Sequence, residues 1–353
     1  MALTGVVILF SLSACSTGTS SVGSQNTTTP SATVFAAQPA ATAFAAQPTA
    51  TTTPSPQPTS SPTPLPRHSP TPVVPTAIIS PTVEAANDTV ETVPEDLPIF
   101  DTHMHYNQDA WSLYSPDQII DKLESANVPR ALVSSSPDDG TRMLYEADPA
   151  RIVPFLRPYH NAITSDNWFQ DPTIMSYFSN RLETPIYHGI GEFHLHYDGD
   201  ADAPIVQATA RLAVEQGLFL HVHTNAQAVR TIFDYEPDSK ILWAHAGMSE
   251  PPDVVSAMMD EYENLWTDIS IREYQIAPNG RLDPAWEALF LKHPDRITIG
   301  SDTWTPSRWS AYGQIIEFDR SWLHQLPPDV ARQIAYGNAM RLFETELPVQ
   351  FEK

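Results

Sequence analysis

From residue 97 onward, short apolar runs alternate with longer amphipathic stretches. The apolar runs are 98–103 (PIFDTH), 130–134 (RALVS), 152–157 (IVPFLR), 187–193 (YHGIGEF), 218–223 (LFLHVH), 241–245 (ILWAH), 265–270 (LWTDIS) and 297–301 (ITIGS). Runs this short, bounded by turn residues, predict strands. The stretches between them, such as 115–127, 204–216, 250–263 and 282–293, carry apolar residues at helical spacing. Ser115 before Ile119, Ile120 and Leu123 marks a capped helix start. Eight strand–helix repeats in roughly 255 residues predict an α/β fold, a (β/α)8 barrel of the TIM type, whose usual size is about 250 residues. A doubly wound open sheet is the alternative, but no Gly-rich phosphate loop follows the first strand. After the eighth strand, 307–325 and 328–343 predict two further helices, one of them capping the barrel.

The first 96 residues follow neither period. Residues 1–14 form a short apolar run centred on VVILF at 6–10, too short to stay in a bilayer as a spanning helix and of the length expected of a signal peptide. The run ends Leu12-Ser13-Ala14-Cys15, which resembles the lipobox of bacterial lipoproteins. That resemblance implies cleavage before Cys15, a lipid on its thiol, export, and anchoring to the bacterial cell envelope with the rest of the chain facing the periplasm or the exterior. Residues 15–96 are rich in Thr, Ser, Pro and Ala, and 32–40 (ATVFAAQPA) is repeated imperfectly as 41–49 (ATAFAAQPT). Such a segment buries too little apolar surface to offset its ordering entropy, so a disordered, extended tether is expected, reaching at most about 250 Å. The predicted organisation is therefore a signal peptide at 1–14, a lipidated N-terminus and Pro/Thr/Ser-rich linker at 15–96, and a folded domain at 97–353.

Composition narrows the chemistry. The 353 residues carry 19 Lys and Arg against 42 Asp and Glu, a formal charge of −23. That balance argues against a nucleic-acid partner, which needs a basic surface. The single Cys, Cys15, excludes an intramolecular disulfide, a thiolate-ligated zinc site and a Cys nucleophile in the folded part. The expected partners are a small-molecule substrate and, through the anchor, a membrane.

In a barrel of this kind the chemistry sits at the C-terminal ends of the strands, and there His, Glu and Asp recur. Strand one ends Asp101-Thr102-His103-Met104-His105; strand four, Glu192-Phe193-His194-Leu195-His196; strand five, His221-Val222-His223; strand six, His245-Ala246-Gly247; strand eight, Ser301-Asp302-Thr303. Two His at i and i+2 on a strand point to one side and can share a cation. Imidazoles and carboxylates from five strands converging on one mouth suit a divalent ion, with zinc, manganese and iron all compatible with a donor set free of sulfur.

These motifs resemble the amidohydrolase superfamily, and most closely its amidohydrolase-2 branch. The resemblance rests on DTHMH on strand one, the strand-four Glu, the strand-five His, WAHAG on strand six, GSDT on strand eight and the tail GNAMRLF at 337–343, and it covers about 97–345. It implies that His103 and His105 are metal ligands and that Glu192 is a ligand able to bridge two ions. It makes His221 or His223 the strand-five ligand, His221 preferred for its distance from the strand start. His245 becomes a second-metal ligand or a stabiliser of developing charge. Asp302 becomes the residue that binds metal and takes the proton of the attacking water. One or two ions, zinc foremost, are implied.

Arg157, Arg272, His194 and Trp304 are candidates for contacting substrate, with Tyr159 and Asn225 behind them. Asp268 reads as structural, and His160, His188, His293 and His324 as ordinary structural or exposed histidines. The expected activity is metal-dependent hydrolysis of a small ester, lactone or amide. A non-oxidative decarboxylase of the same branch, needing an Arg for the substrate carboxylate, is the sister reading. A metal-bearing binding lipoprotein without turnover is the non-enzymatic one. A PHP-type phosphoesterase ranks below them, because the last strand ends Asp302-Thr303-Trp304 where that family has Asp-x-His.

Overall fold

A computed structural model describes residues 92–348. The signal peptide, Cys15 and nearly all of the tether lie outside the described residues. Residues 93–96, at the end of the expected linker, pack against the domain. Pro94 O accepts a hydrogen bond from Leu97 N (3.2 Å) and lies 2.9 Å from His324 Nε2, and Val93 covers part of the core.

Eight parallel strands pair in sequence order: β1 Phe100–Met104, β2 Arg130–Val133, β3 Ile152–Leu156, β4 Gly189–His194, β5 Phe219–His223, β6 Lys240–Trp243, β7 Leu265–Asp268 and β8 Ile297–Thr298. The ring is joined between β8 and β1 by a bridge from Asp101 to Ile299, where Thr102 N donates to Ile299 O at 2.8 Å. Asp101 fastens the same seam. One of its carboxylate oxygens accepts from His103 N and Ser301 N, and the other from Tyr312 Oη. The expected (β/α)8 barrel is the observed fold.

Helices alternate with the strands: α1 Pro116–Ser125, α2 Asp139–Ala147, α3 Ile174–Leu182, α4 Pro204–Gln216, α5 Ala226–Tyr235, α6 Pro252–Glu261, the four-residue α7 Glu273–Ile276, α8 Pro284–Lys292 and α9 Pro306–Leu323. The start read at Ser115 is a full capping box: Ser115 Oγ accepts from Gln118 N (3.3 Å) and Gln118 Oε1 from Ser115 N (2.8 Å). The stretch 328–343 differs from the single helix expected. It breaks into α10 Pro328–Arg332, a wider π turn over Gln333–Gly337, and α11 Asn338–Leu342. The turn brings Asn338 Nδ2 onto the carbonyls of Pro294 (2.8 Å) and Ile297 (2.7 Å), hydrogen bonds that lock the tail onto the start of β8.

Apolar side chains fill two regions. The larger lies between strands and helices. The smaller fills the barrel's N-terminal end, where Phe100, Val153, Phe155, Phe219 and Leu242 point inward and Phe343 closes the bottom. The Phe343 ring lies 5.8, 5.7 and 5.5 Å from those of Phe100, Phe155 and Phe219. With that end plugged, the barrel interior of the described residues opens at the opposite mouth. Among the described residues no helix is long and apolar enough to cross a membrane.

Candidate metal centre

The last residues of several strands leave the ladder just where their polar side chains begin. Strands six, seven and eight stop two or three residues earlier than the apolar pattern predicts. Beyond them the chain turns into the left-handed region at His245 (φ 57°), Ile271 (φ 62°) and Asp302 (φ 46°). Positive φ is uncommon for residues with a Cβ and clusters where geometry is imposed by function. On β4 the register to β5 slips between Gly191 and Phe193, so Glu192 is an extra residue with no partner in the ladder. Gly191 sits at φ 123°, and a Cβ there would strike the His221 carbonyl. The bulge therefore needs glycine, and it turns Glu192 into the mouth. On β1 a register slip between Asp101 and Met104 leaves His103 and His105 both facing inward.

Four of these side chains converge. His103 Nε2 lies 3.1 Å from His105 Nε2, 3.5 Å from Glu192 Oε2 and 3.7 Å from Asp302 Oδ1. His105 Nε2 lies 3.2 Å from both carboxylate oxygens. Ligand atoms arranged tetrahedrally about 2.0–2.2 Å from a zinc-sized ion sit roughly 3.3–3.6 Å from one another, which is close to the spacing seen.

The tautomers say what fills the space between them. His103 Nδ1 donates to Asp268 Oδ2 at 3.1 Å, and His105 Nδ1 points at the Ser134 carbonyl. In the tautomer that ligates a cation each ring keeps its proton on Nδ1 and turns its Nε2 lone pair to the carboxylates; without a cation the carboxylates of Asp268, Glu192 and Asp302 hold His103 protonated, well above the usual imidazole range despite its burial. Two lone pairs and two anions converging in a buried pocket repel one another unless a cation sits among them. Asp302 Oδ1 is buried with no hydrogen-bond donor of its own. The donor set fits a divalent ion.

A second set gathers on the other oxygen of Glu192. Oε1 lies 2.8 Å from His223 Nδ1, 3.3 Å from His245 Nε2 and 4.0 Å from His194 Nε2. His194 stacks on His223 with ring centroids 4.1 Å apart. Glu192 thereby joins the two sets. Burial opposes its charge, but His194 and His103 beside it hold its carboxyl well below the usual range. Burial also works against the charge on Asp302, and the surrounding His103, His105 and His245 still pull its carboxyl down. Both are anions, as cation ligands must be.

The two strand-five histidines part company. His223 is the one that reaches Glu192. His221, preferred from the sequence, lies one layer deeper, its Nε2 donating to Asp268 Oδ2 at 3.1 Å. Burial, with His103 close by, pushes it down to about 4, so it is neutral, and its Nδ1 has no partner.

Asp268, read from the sequence as structural, is the hub beneath the cluster. It is fully buried, and burial would raise its pKa, yet the histidines around it hold it well below the usual range. Oδ2 accepts from His103 and His221; Oδ1 accepts from Ser270 Oγ, from Ser270 N (3.1 Å) and from His245 N (3.4 Å). Ser270 Oγ in turn receives His245 Nδ1 at 2.8 Å. One carboxylate therefore orients residues of β1, β5 and the turn after β6. Its position at the end of β7, in line with the other polar strand ends, was the available signal.

The substrate candidates divide. Arg157 faces the mouth but is occupied: NH2 donates to Glu192 Oε2 (2.7 Å), Nε to Glu192 O (3.1 Å), and NH1 lies 3.3 Å from His105 Nδ1. Arg272 is outside the mouth, which corrects its assignment to substrate. NH1 donates to His245 O (3.0 Å) and Ala246 O (3.1 Å), NH2 to Glu250 O (2.7 Å), and the guanidinium stacks over Trp286. It clamps the left-handed turn that presents His245. Asn225 is likewise removed from the site, because its Oδ1 caps α5 by accepting from Ala228 N. Tyr159 is retained, its Oη 2.8 Å from His194 Nδ1. Trp304 stands at the rim, and Trp309 is buried packing that donates to His105 O.

A cavity of about 740 Å³ opens above the cluster, lined among others by Arg157, Tyr159, Glu192, His223, Asp302 and Trp304. His160, set aside from the sequence, also lines it and stacks on Tyr177 at 4.0 Å. Asn107, not singled out from the sequence, ties the rim: its side chain accepts from Ser136 N (2.8 Å) and donates to Trp304 O (3.1 Å).

Comparison with known proteins agrees with this architecture. Residues 180–345 match the amidohydrolase-2 family model, described as Amidohydrolase. The match spans β4 to α11 and so includes Glu192, His223, His245 and Asp302. No curated protein matches the chain. A TatD homologue from Escherichia coli K12 superposes with a TM-score of 0.50 at 13% identity, covering 70% of this chain and 98% of that one. A zinc-bound amidohydrolase from Burkholderia multivorans gives 0.48 at 13% identity (70% and 100% covered). 5-Carboxyvanillate decarboxylase from Sphingomonas paucimobilis gives 0.46 at 16% identity (71% and 100%). At 13% identity the likeness to the TatD homologue is one of fold. The barrel thus has the expected strand order, and its part from β4 to the tail carries a sequence match to the amidohydrolase-2 family model.

Proposed function

We propose that the barrel is a metal-dependent hydrolase that uses water to cleave a small ester, lactone or amide. The observation that carries this reading is the convergence of His103 Nε2 and His105 Nε2 on the Glu192 and Asp302 carboxylates, with Asp302 Oδ1 lacking any hydrogen-bond donor. His103, His105, Glu192 and Asp302 would hold the first ion. His223 and His245, gathered on Glu192 Oε1, would hold a second. Zinc is the leading candidate, with manganese and iron compatible with the same donors. The bound ion supplies the positive charge that makes water nucleophilic near neutral pH and polarises the substrate oxygen.

The remaining work falls to side chains. Asp302, an anion at the floor of the cavity, accepts the proton of the attacking water and returns it to the leaving oxygen or nitrogen, so the proton is conserved over the cycle. With one ion bound and the second position empty, His245, its Nδ1 committed to Ser270, presents Nε2 to the oxygen that gains charge. Arg157 holds Glu192 in place through both its backbone and its side chain.

Hydrolysis is favoured over decarboxylation by the state of the arginines. Arg157 is the only Lys or Arg lining the cavity among the described residues, and its Nε and NH2 are engaged by Glu192. Arg272, the other candidate for a substrate carboxylate, is spent on the β6 turn.

Elemental mass spectrometry on the full-length protein and on His103→Ala/His105→Ala tests the metal. One or two transition ions per wild-type chain, lost in the variant, are expected; a folded wild type that takes up no metal after reconstitution overturns the reading. Ester, lactone and amide panels beside CO2-release assays separate hydrolase from decarboxylase. Wild type that binds ligand without any turnover, matched in affinity by Asp302→Asn, would establish a binding protein instead. We further propose that the chain is exported and anchored through lipid on Cys15. The Cys15→Ser protein is expected to move from the membrane to the soluble fraction, and unchanged fractionation refutes the anchor.

A further inference from the structure

The exposed large apolar side chains are unevenly placed. There are six among the described residues: Leu113, Tyr197, Met248, Tyr274, Leu291 and Trp304. Five belong to segments that follow strand ends: Leu113 after β1, Tyr197 after β4, Met248 after β6, Tyr274 after β7 and Trp304 after β8. Those segments form the mouth face of a barrel. Only Leu291, on α8, lies elsewhere. Tyr274 is 89% exposed, Tyr197 75% and Trp304 54%. Single exposed apolar residues are ordinary, but a set concentrated on the face that carries the cavity mouth calls for a partner.

Two of the five, Met248 and Trp304, also line the cavity, together with Ile163, Ile271 and Tyr159. Tyr159, Ile163, Ile271, Met248 and Trp304 thus give the cavity an apolar wall, two of whose members are exposed at its edge. The cavity, at about 740 Å³, lies in the range of sites that enclose drug-sized ligands, about 300–1,000 Å³, and exceeds what a reacting carbonyl alone needs. No unpaired cationic side chain faces it: Arg157 is held by Glu192, and Lys is absent from the lining. The folded part carries 18 basic against 37 acidic residues, which opposes docking of this face on an anionic surface.

We propose that the site takes an uncharged substrate carrying an extended apolar chain or aromatic group, its reacting carbonyl at the metal cluster and its apolar part along Tyr159, Met248 and Trp304 toward the rim. This rests on the hydrolase reading for the position of the carbonyl, but the apolar track is tested by binding alone.

The probes are N-alkylacetamides of rising chain length, titrated calorimetrically into the full-length protein, and p-nitrophenyl esters from acetate to octanoate for turnover. Full burial of a methylene is worth about fourfold in affinity; along a half-open track about twofold per methylene is expected, roughly 60-fold over the six methylenes from the ethyl to the octyl amide. Trp304→Ala should flatten that slope, and Leu291→Ser, on the far helix, should leave it intact. An octyl chain ending in a carboxylate should bind at least tenfold more weakly than the neutral octyl amide.

Chain-length-dependent binding without any ester turnover would support the track and count against the hydrolase reading; turnover with a flat slope would do the reverse. A flat slope, or equal binding of the charged chain, overturns the proposal. So does a flat slope with flotation on phosphatidylcholine vesicles that is lost in Trp304→Ala, which would make the rim a membrane surface. A flat slope with a dimer in sedimentation that Tyr274→Ser dissolves would make it a subunit interface.

Discussion

Exchanging Asp268 for Asn leaves the volume of the side chain almost unchanged and removes its charge. The carboxylate is fully buried, and its Oδ2 receives both His103 Nδ1 and His221 Nε2 at 3.1 Å. An Asn oxygen can still accept from His103, so the tautomer survives, but the anion that makes the ring a better electron donor does not. Hydrogen bonds to a charged partner are worth about 1.5–3 kcal/mol against about 0.5–1.5 kcal/mol for neutral ones, a difference of about 1–1.5 kcal/mol, or roughly tenfold. Loss of outer partners of metal-bound histidines typically costs 10–100-fold in metal affinity, so the two estimates meet near a factor of ten. The assay is zinc titration of the metal-free protein against a chromophoric chelator, with thermal melting to verify that Asp268→Asn is folded. A dissociation constant about tenfold above wild type is expected, together with a fall in turnover that excess zinc partly restores. Affinity within twofold of wild type, while His103→Ala loses the metal, would refute the role of Asp268 as the residue that orients and activates His103.

Other perturbations have equally definite outcomes. Arg272→Lys cannot reach the carbonyls of His245, Ala246 and Glu250 at once. It should cost about 2–3 kcal/mol in urea unfolding and lower kcat more than it lowers metal content, and an unchanged kcat would exclude the clamp. Phe343→Ala empties the plug between Phe100, Phe155 and Phe219. A loss of about 3–5 kcal/mol is expected with metal stoichiometry preserved, since the cluster lies at the other end of the barrel. Asp138 is raised to about 6 by burial, despite the Tyr187 hydroxyl at 2.6 Å and Arg181. Folding therefore favours its protonated form: the contribution is full below about pH 4 and is lost as pH rises through about 6. Asp138→Asn should stabilise the protein by about 2 kcal/mol at pH 7 relative to its effect at pH 4, read from urea midpoints at both values; equal effects would refute the assignment.

What the chain determines by itself is periodicity and inventory. Each strand and its helix are written in local patterns of apolar residues, so eight repeats could be counted without knowing a contact, and the His, Glu and Asp at their ends could be named as ligands because strand ends in a barrel share one face. The capping box at Ser115 is equally local, a matter of residues three apart. Tertiary structure decided whatever depends on a side chain's partner across the ring. Whether His221 or His223 meets Glu192 turns on a bulge at Glu192 and the layer each ring occupies, and Phe343 became the barrel plug only when a π turn brought the tail back onto β8. Arg157 and Arg272 look alike as sequence, yet one is paired with Glu192 and the other grips a turn, since a guanidinium goes where unsatisfied oxygens lie in space. Asp268 belongs to the same class: a lone carboxylate at a strand end says nothing of its task until the fold sets three histidines around it, and it is that low-dielectric convergence, absent from any local window of the sequence, that makes its charge matter.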